Sequence, residues 1–121
     1  MGAAINYVQS VGFDNIIRQD NELLDHATKS LKTIPNLRFI GTAKEKVGVV
    51  AFVFPDIHPH DLGTLLDEQG IAIRTGHHCT MPLMERFKVP ATARASLAFY
   101  NTKSEIDSLV KAIYKAKEIF R

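Results

Sequence analysis

The chain has 121 residues, 45% of them hydrophobic and 23% charged, the make-up of one globular domain with its own core rather than of a disordered segment. Its 15 Lys and Arg against 13 Asp and Glu leave a formal charge of +2, too little to argue for nucleic acid or an anionic membrane as a partner. The single cysteine excludes an internal disulfide framework and a cysteine-rich zinc site.

Residues 1–12 lack the basic start and long apolar run of a signal peptide, and the apolar run Val49–Phe54 is too short to span a bilayer as a helix. A cytoplasmic chain is expected. Residues 3–10 read as the last turns of a helix, with Ala3, Ala4, Tyr7 and Val8 on one side and Gly12 as a stop. An element met in its last turns suggests a chain cut from something longer. Asp14 is the expected N-cap of a second helix, whose apolar set is Ile16, Ile17, Leu23, Leu24, Ala27, Leu31 and Ile34. Pro35-Asn36 ends it.

Leu37–Ile40 reads as a short strand, 42–46 as a polar turn, and Val47–Phe54 as a strand at the centre of a sheet or covered on both faces. Pro59 and Asp61 suit the first turn of a third helix, with Leu62, Leu65 and Leu66 as its buried stripe and Gly70 as its stop. Ile71–Thr75 reads as a strand, 76–82 as a loop, Leu83–Phe87 as a helical turn and Ala93–Phe99 as a strand. Thr102 and Glu105 form a capping box, and Ile106, Leu109, Val110, Ile113, Ala116 and Phe120 follow as one apolar stripe. The expected fold is a single α+β domain over residues 1–121, two layers deep, with helices packed on a small mixed or antiparallel sheet.

The densest group of reactive side chains is Arg74, His77, His78 and Cys79, at a strand end and in the loop after it. A thiol is a nucleophile as thiolate, and neighbouring cations favour that form. A lone cysteine is also commonly a buried small hydrophobe. The polar neighbours here favour a reactive, partly exposed thiol. In the strand at 93–99, Ala93, Ala95, Leu97 and Phe99 share one face, leaving Arg94, Ser96 and Ala98 on the other. An arginine among small neighbours leaves room for a carboxylate held in bidentate fashion, although a strand arginine is also a common member of a structural salt bridge. The same alternation puts Arg74 and Ala72 opposite Ile71 and Ile73.

Imidazole and thiolate also bind zinc, but His58, His60, His77, His78 and Cys79 match no common zinc spacing, and no metal site is expected. His58 and His60 flank a proline at a helix start, where exposed capping explains them. Lys and Arg are dispersed, and Lys111, Lys115, Lys117 and Arg121 read as a solvated helix end, so no nucleic-acid partner is expected.

Longer motifs sharpen this picture. The stretch Ile73-Arg74-Thr75-Gly76-His77-His78-Cys79, then Pro82-Leu83-Met84, Arg86-Phe87, Val89 to Ser96 and Tyr100-Asn101-Thr102, resembles the C-terminal region of Suf-type cysteine desulfurases. These are pyridoxal-phosphate enzymes of the class V aminotransferase family, also described as selenocysteine lyases. Ala3 to Tyr7 and His60-Asp61-Leu62 extend the resemblance over essentially the whole chain. It implies the fold of the C-terminal domain of fold-type I pyridoxal-phosphate enzymes. It also implies that Cys79 attacks the substrate sulfur and carries it as a persulfide, and that Arg94 holds the substrate carboxylate. In the same resemblance Arg74 and His78 match residues of the loop around that cysteine, in supporting roles. Thr80-Met81 departs from the expected Ala-Gln, a change that bears on access to Cys79.

The Schiff-base lysine, the stacking histidine and the acid facing the pyridine nitrogen belong, in that family, to a larger N-terminal domain that these 121 residues do not match. No cofactor is therefore expected on this chain alone, and the whole enzyme is expected to be a homodimer that passes sulfur to a Suf acceptor protein for iron–sulfur cluster assembly. The alternative is a stand-alone sulfur carrier or binding module that uses Cys79 without pyridoxal phosphate.

Overall fold

In the computed structural model, which describes residues 1–120, the chain runs α1 (Gly2–Val11), α2 (Phe13–Lys32), β1 (Arg38–Ile40), β2 (Val49–Val53), α3 (Pro59–Asp67), β3 (Arg74–Gly76), α4 (Met81–Phe87), β4 (Thr92–Ser96) and α5 (Lys103–Ile119). The strands form one sheet in the order β1-β2-β4-β3, and every neighbouring pair is antiparallel. The expected α+β architecture is present. β2 and β3 run parallel with β4 between them, joined through α3, a split β-α-β arrangement.

Alternation along the two central strands divides the sheet into two faces. Val50 and Phe52 of β2 and Ala93 and Ala95 of β4 are buried on one face, with Leu23, Ala27 and Leu31 of α2, Leu62 and Leu66 of α3, and Ile106 and Ile113 of α5. Each fully buried Leu, Ile or Phe here contributes roughly 1.5–3 kcal/mol. The alanines of β4 are small enough for helices to lie close to the sheet. α3 approaches most tightly at Gly63, where a Cβ would stand 2.8 Å from the Thr75 methyl of β3. The other face carries Thr92, Arg94 and Ser96 of β4 and Arg74 of β3.

Several elements differ from expectation for local reasons. Asp14 lies inside α2 and is no cap; the N-cap is Gly12, without a side-chain bond. Ile17 is exposed, and α1 has no buried residue. The strand expected at 71–75 begins only at Arg74. Upstream of it, the Ile71 N–H still donates to the Leu66 carbonyl of α3. A cleft of ≈ 400 Å³ also opens between Gln69–Ile73 and Ala95–Leu97. β4 ends at Ser96 rather than Phe99: Leu97 N–H still reaches the Gly48 carbonyl, but the chain then turns, Asn101 N–H closing on the Ala98 carbonyl. The capping box of α5 is present, with Glu105 N–H donating to the Thr102 hydroxyl and Thr102 N–H to the Glu105 carboxylate. No helix among the described residues is long and apolar enough to cross a membrane.

Lys117 is a further correction. It was expected at a solvated helix end, yet it is buried, its ammonium 3.4 Å from the Asp56 carboxylate and 4.5 Å from the centre of the Phe54 ring. The pair ties the last turns of α5 to the loop between β2 and α3. Arg121, expected beside it, lies outside the described residues.

Only the lysine of this pair is buried, so removing Asp56 leaves a buried ammonium without its carboxylate, whereas replacing Lys117 with an apolar chain of similar length removes the buried charge itself. Asp56→Ala is expected to lower stability by about 1–2 kcal/mol, and Lys117→Met by less, because the methionine keeps the contact with Phe54. Denaturant midpoints of the two variants check this order, and a larger loss for Lys117→Met would contradict it.

Candidate functional site

The face of the sheet turned away from the packed helices carries the reactive side chains. β3 and β4 pair so that Arg74 stands directly opposite Arg94, with Thr75 opposite Ala93 and Gly76 opposite Thr92. Like charges at opposed positions are unfavourable by roughly 0.2–1 kcal/mol. No carboxylate pairs with either guanidinium among the described residues. The structural salt bridge that composition allowed for Arg94 is therefore not formed. Instead its Nε is buried without a partner. Arg74 is exposed and Arg94 half-buried. Such a pair is suited to an anion from outside, above all a carboxylate accepting from both guanidinium nitrogens.

The loop after β3 leaves the sheet through Gly76, whose φ of 124° disfavours any side chain. It closes at once into a four-residue turn, His77 to Thr80, in which the Thr80 N–H donates to the His77 carbonyl over 2.8 Å. Both central residues, His78 (φ 55°) and Cys79 (φ 59°), are left-handed. That pairing is the mark of turns that Asn-Gly ordinarily fills. Cys79 sits in the second of these positions, exposed and with a free thiol.

His78 anchors the turn to the sheet. Its Nε2 lies 2.8 Å from the Thr92 hydroxyl of β4, and its Nδ1 is buried without a partner. Burial, and then the charges of Arg94 and Arg74, hold its pKa below the ordinary histidine value, against a smaller opposing effect of the Thr92 backbone. The imidazole is accordingly neutral near pH 7, with one ring nitrogen available as acceptor and one as donor. The structure thus brings Arg74, Arg94, His78 and the turn bearing Cys79 onto one face. His77 is exposed beside them and adds to the positive surroundings of His78.

His58 and His60 are placed differently. His58 is the N-cap of α3, its Nδ1 accepting from the His60 N–H, and both are exposed. No group of three or more His, Cys, Asp or Glu able to hold a metal occurs among the described residues. Thr92 was missed by sequence reasoning, which began the strand at Ala93. The alternation that puts Arg94 and Ser96 on the open face puts Thr92 there too, one position outside the assumed boundary.

Comparison with known proteins gives three kinds of likeness. The family model "Aminotransferase class-V" matches residues 1–109. A probable cysteine desulfurase of Streptomyces coelicolor is 47% identical over 99% of this chain, and a cysteine desulfurase of Serratia proteamaculans is 44% identical over 98% of it; in each case the match covers 29% of the relative. The apo structure of a cysteine desulfurase from Thermococcus onnurineus superposes with a TM-score of 0.88 at 32% identity, covering 98% of this chain and 29% of that one. An S-sulfonic acid form of a cysteine desulfurase from Escherichia coli gives 0.80 at 37% identity, covering 87% and 26%. The chain therefore spans just under a third of the length of the relatives it matches.

The lowered pKa of His78 has a consequence for stability. Between the folded and unfolded pKa values the unfolded state binds more protons. The contribution is complete above the unfolded value of about 6.5 and is lost as pH falls toward and through the folded one. A histidine NMR titration is expected to place the His78 midpoint below 6.5, and Arg94→Gln should raise it. A midpoint at or above 6.5 would contradict the arrangement.

Proposed function

The chain belongs to the class V aminotransferase family, and from that premise we propose that it is the C-terminal small domain of a Suf-type cysteine desulfurase. The observation that supports this most is the shared sheet face. An exposed thiol at a turn apex stands next in sequence to a histidine that feels the charges of two arginines, neither paired with a carboxylate among the described residues. Arg94 binds the α-carboxylate of cysteine through its planar fork, and Arg74 adds a second cation beside it. Neutral His78, held by Thr92, fixes the turn. Cys79 as thiolate attacks the substrate sulfur. A sulfur–sulfur bond forms, the substrate carbon–sulfur bond breaks with its electron pair staying on carbon, and a proton completes alanine. The net change is cysteine plus a Cys79 thiol giving alanine plus a Cys79 persulfide, with no outside oxidant.

In this reading the 121 residues supply no Schiff-base lysine: Lys117, the buried lysine among the described residues, is engaged with Asp56 and Phe54. In this reading the cofactor, which supplies the electron sink for carbon–sulfur cleavage, is seated by the larger N-terminal domain of the longer protein. The whole enzyme is a cytoplasmic homodimer, its persulfide sulfur goes to a Suf acceptor protein for iron–sulfur assembly, and selenocysteine is a second substrate of the same site. A stand-alone sulfur carrier, the rival reading, would use the same thiol without Arg94 facing a substrate.

In the full-length protein loaded with pyridoxal phosphate, Cys79→Ser is expected to abolish alanine release from cysteine while leaving the cofactor absorbance in place. Arg94→Lys keeps the charge but loses the fork, so KM for cysteine should rise about tenfold or more. Alanine formation that survives Cys79→Ser would sink the proposal. An unchanged KM in Arg94→Lys would remove Arg94 from the substrate site. Turnover by the 121-residue chain alone with added pyridoxal phosphate would show that no second domain is needed.

A further inference from the structure

The turn that carries Cys79 holds two residues in a conformation that L-amino acids with side chains rarely adopt. Neither is Gly or Asn, so neither relieves the strain by itself, and neighbouring contacts must hold the pair in place. His78 is fixed by Thr92. The other anchor is Thr80. Its hydroxyl donates to the His77 carbonyl over 2.7 Å, to the same oxygen that its own N–H reaches over 2.8 Å. Its carbonyl in turn accepts from Leu83 N–H and Met84 N–H at the start of α4. Thr80 thus joins three things: the far side of the turn, the left-handed Cys79 immediately before it, and the helix that follows. Cys79 itself is exposed, and its side chain has no disulfide to fix it.

We propose that Thr80 is a positioning residue for sulfur capture: its hydroxyl closes the turn on the His77 carbonyl and so keeps the Cys79 thiol in one orientation beside the Arg74–Arg94 face. This rests on the reading of Cys79 as the sulfur acceptor. Without the hydroxyl, two left-handed residues are held on that side by a single backbone bond. The turn then samples open forms in which the thiol leaves the position that meets substrate sulfur. Arg94 is on β4, outside the turn, so carboxylate binding is not altered. The effect belongs to the first half of the reaction. Release of the sulfur to an outside thiol needs no such alignment and is not slowed.

The test uses the full-length enzyme with pyridoxal phosphate and the variants Thr80→Val, which keeps the shape and removes the hydroxyl, and Thr80→Ser, which keeps the hydroxyl. Single-turnover formation of the Cys79 persulfide should slow about tenfold in Thr80→Val, the effect of one ordinary hydrogen bond. It should return to within about twofold of the parent in Thr80→Ser. The dissociation constant for cysteine and the rate at which dithiothreitol strips a preformed persulfide should stay unchanged or, for stripping, rise. Equal persulfide rates in all three proteins would overturn the proposal. So would a loss in Thr80→Val that serine does not restore, or one matched by weaker cysteine binding. A second readout separates this from failure of the desulfurase reading. Hydrogen exchange at the Thr80 amide should accelerate in Thr80→Val and not in Thr80→Ser, whether or not any persulfide forms. Unchanged exchange in Thr80→Val would overturn the role of the hydroxyl on its own.

Discussion

The register between β3 and β4 is the constraint on which the site depends. It sets Arg74 directly against Arg94 on a face where, among the described residues, no carboxylate pairs with either. Two permanent cations side by side raise the free energy of the fold slightly, and the buried Nε of Arg94 adds the cost of an unpartnered donor. Nothing in the core needs this arrangement, since the opposite face of β4 is closed by Ala93 and Ala95. Local cost without structural return is what a binding surface carries when its ligand is absent.

The fold makes this affordable through the other face of the same strand. Ala93 and Ala95 let α2, α3 and α5 pack onto the sheet, and Gly63 lets α3 come against Thr75 of β3. That packing fixes β3, and β3 delivers the chain through Gly76 into the turn at Cys79. Thr92 reaches from β4 to His78 and completes the link. Sheet register, helix packing and turn geometry therefore converge on one exposed sulfur atom.

Much of this was legible in the sequence. Period-two alternation in Ala93-Arg94-Ala95 assigned Arg94 to the open face, and the cluster from Arg74 to Cys79 marked the loop. The capping box at Thr102 and Glu105 fixed the start of α5, because both partners lie within one turn. What was hidden depends on contacts distant in sequence. The pairing of Arg74 with Arg94 is a matter of register between strands separated by a helix. The anchoring of His78 by Thr92 spans 14 residues. Buried Lys117 meets Asp56, 61 residues away, whereas its place near the end of the last helix had assigned it to a solvated helix terminus. The left-handed backbone of His78 and Cys79 went against residue preference, as happens where tertiary contacts overrule local propensity.

The central claim is that this face and this turn form the sulfur-accepting half of a cysteine desulfurase site. Intact and peptide mass spectrometry of the full-length, pyridoxal-phosphate-loaded protein after brief exposure to cysteine tests it most directly. The account predicts a gain of one sulfur atom on the peptide containing Cys79, removed by a reducing thiol. Sulfur found on another residue, or no gain on Cys79 while alanine is being released, would contradict it.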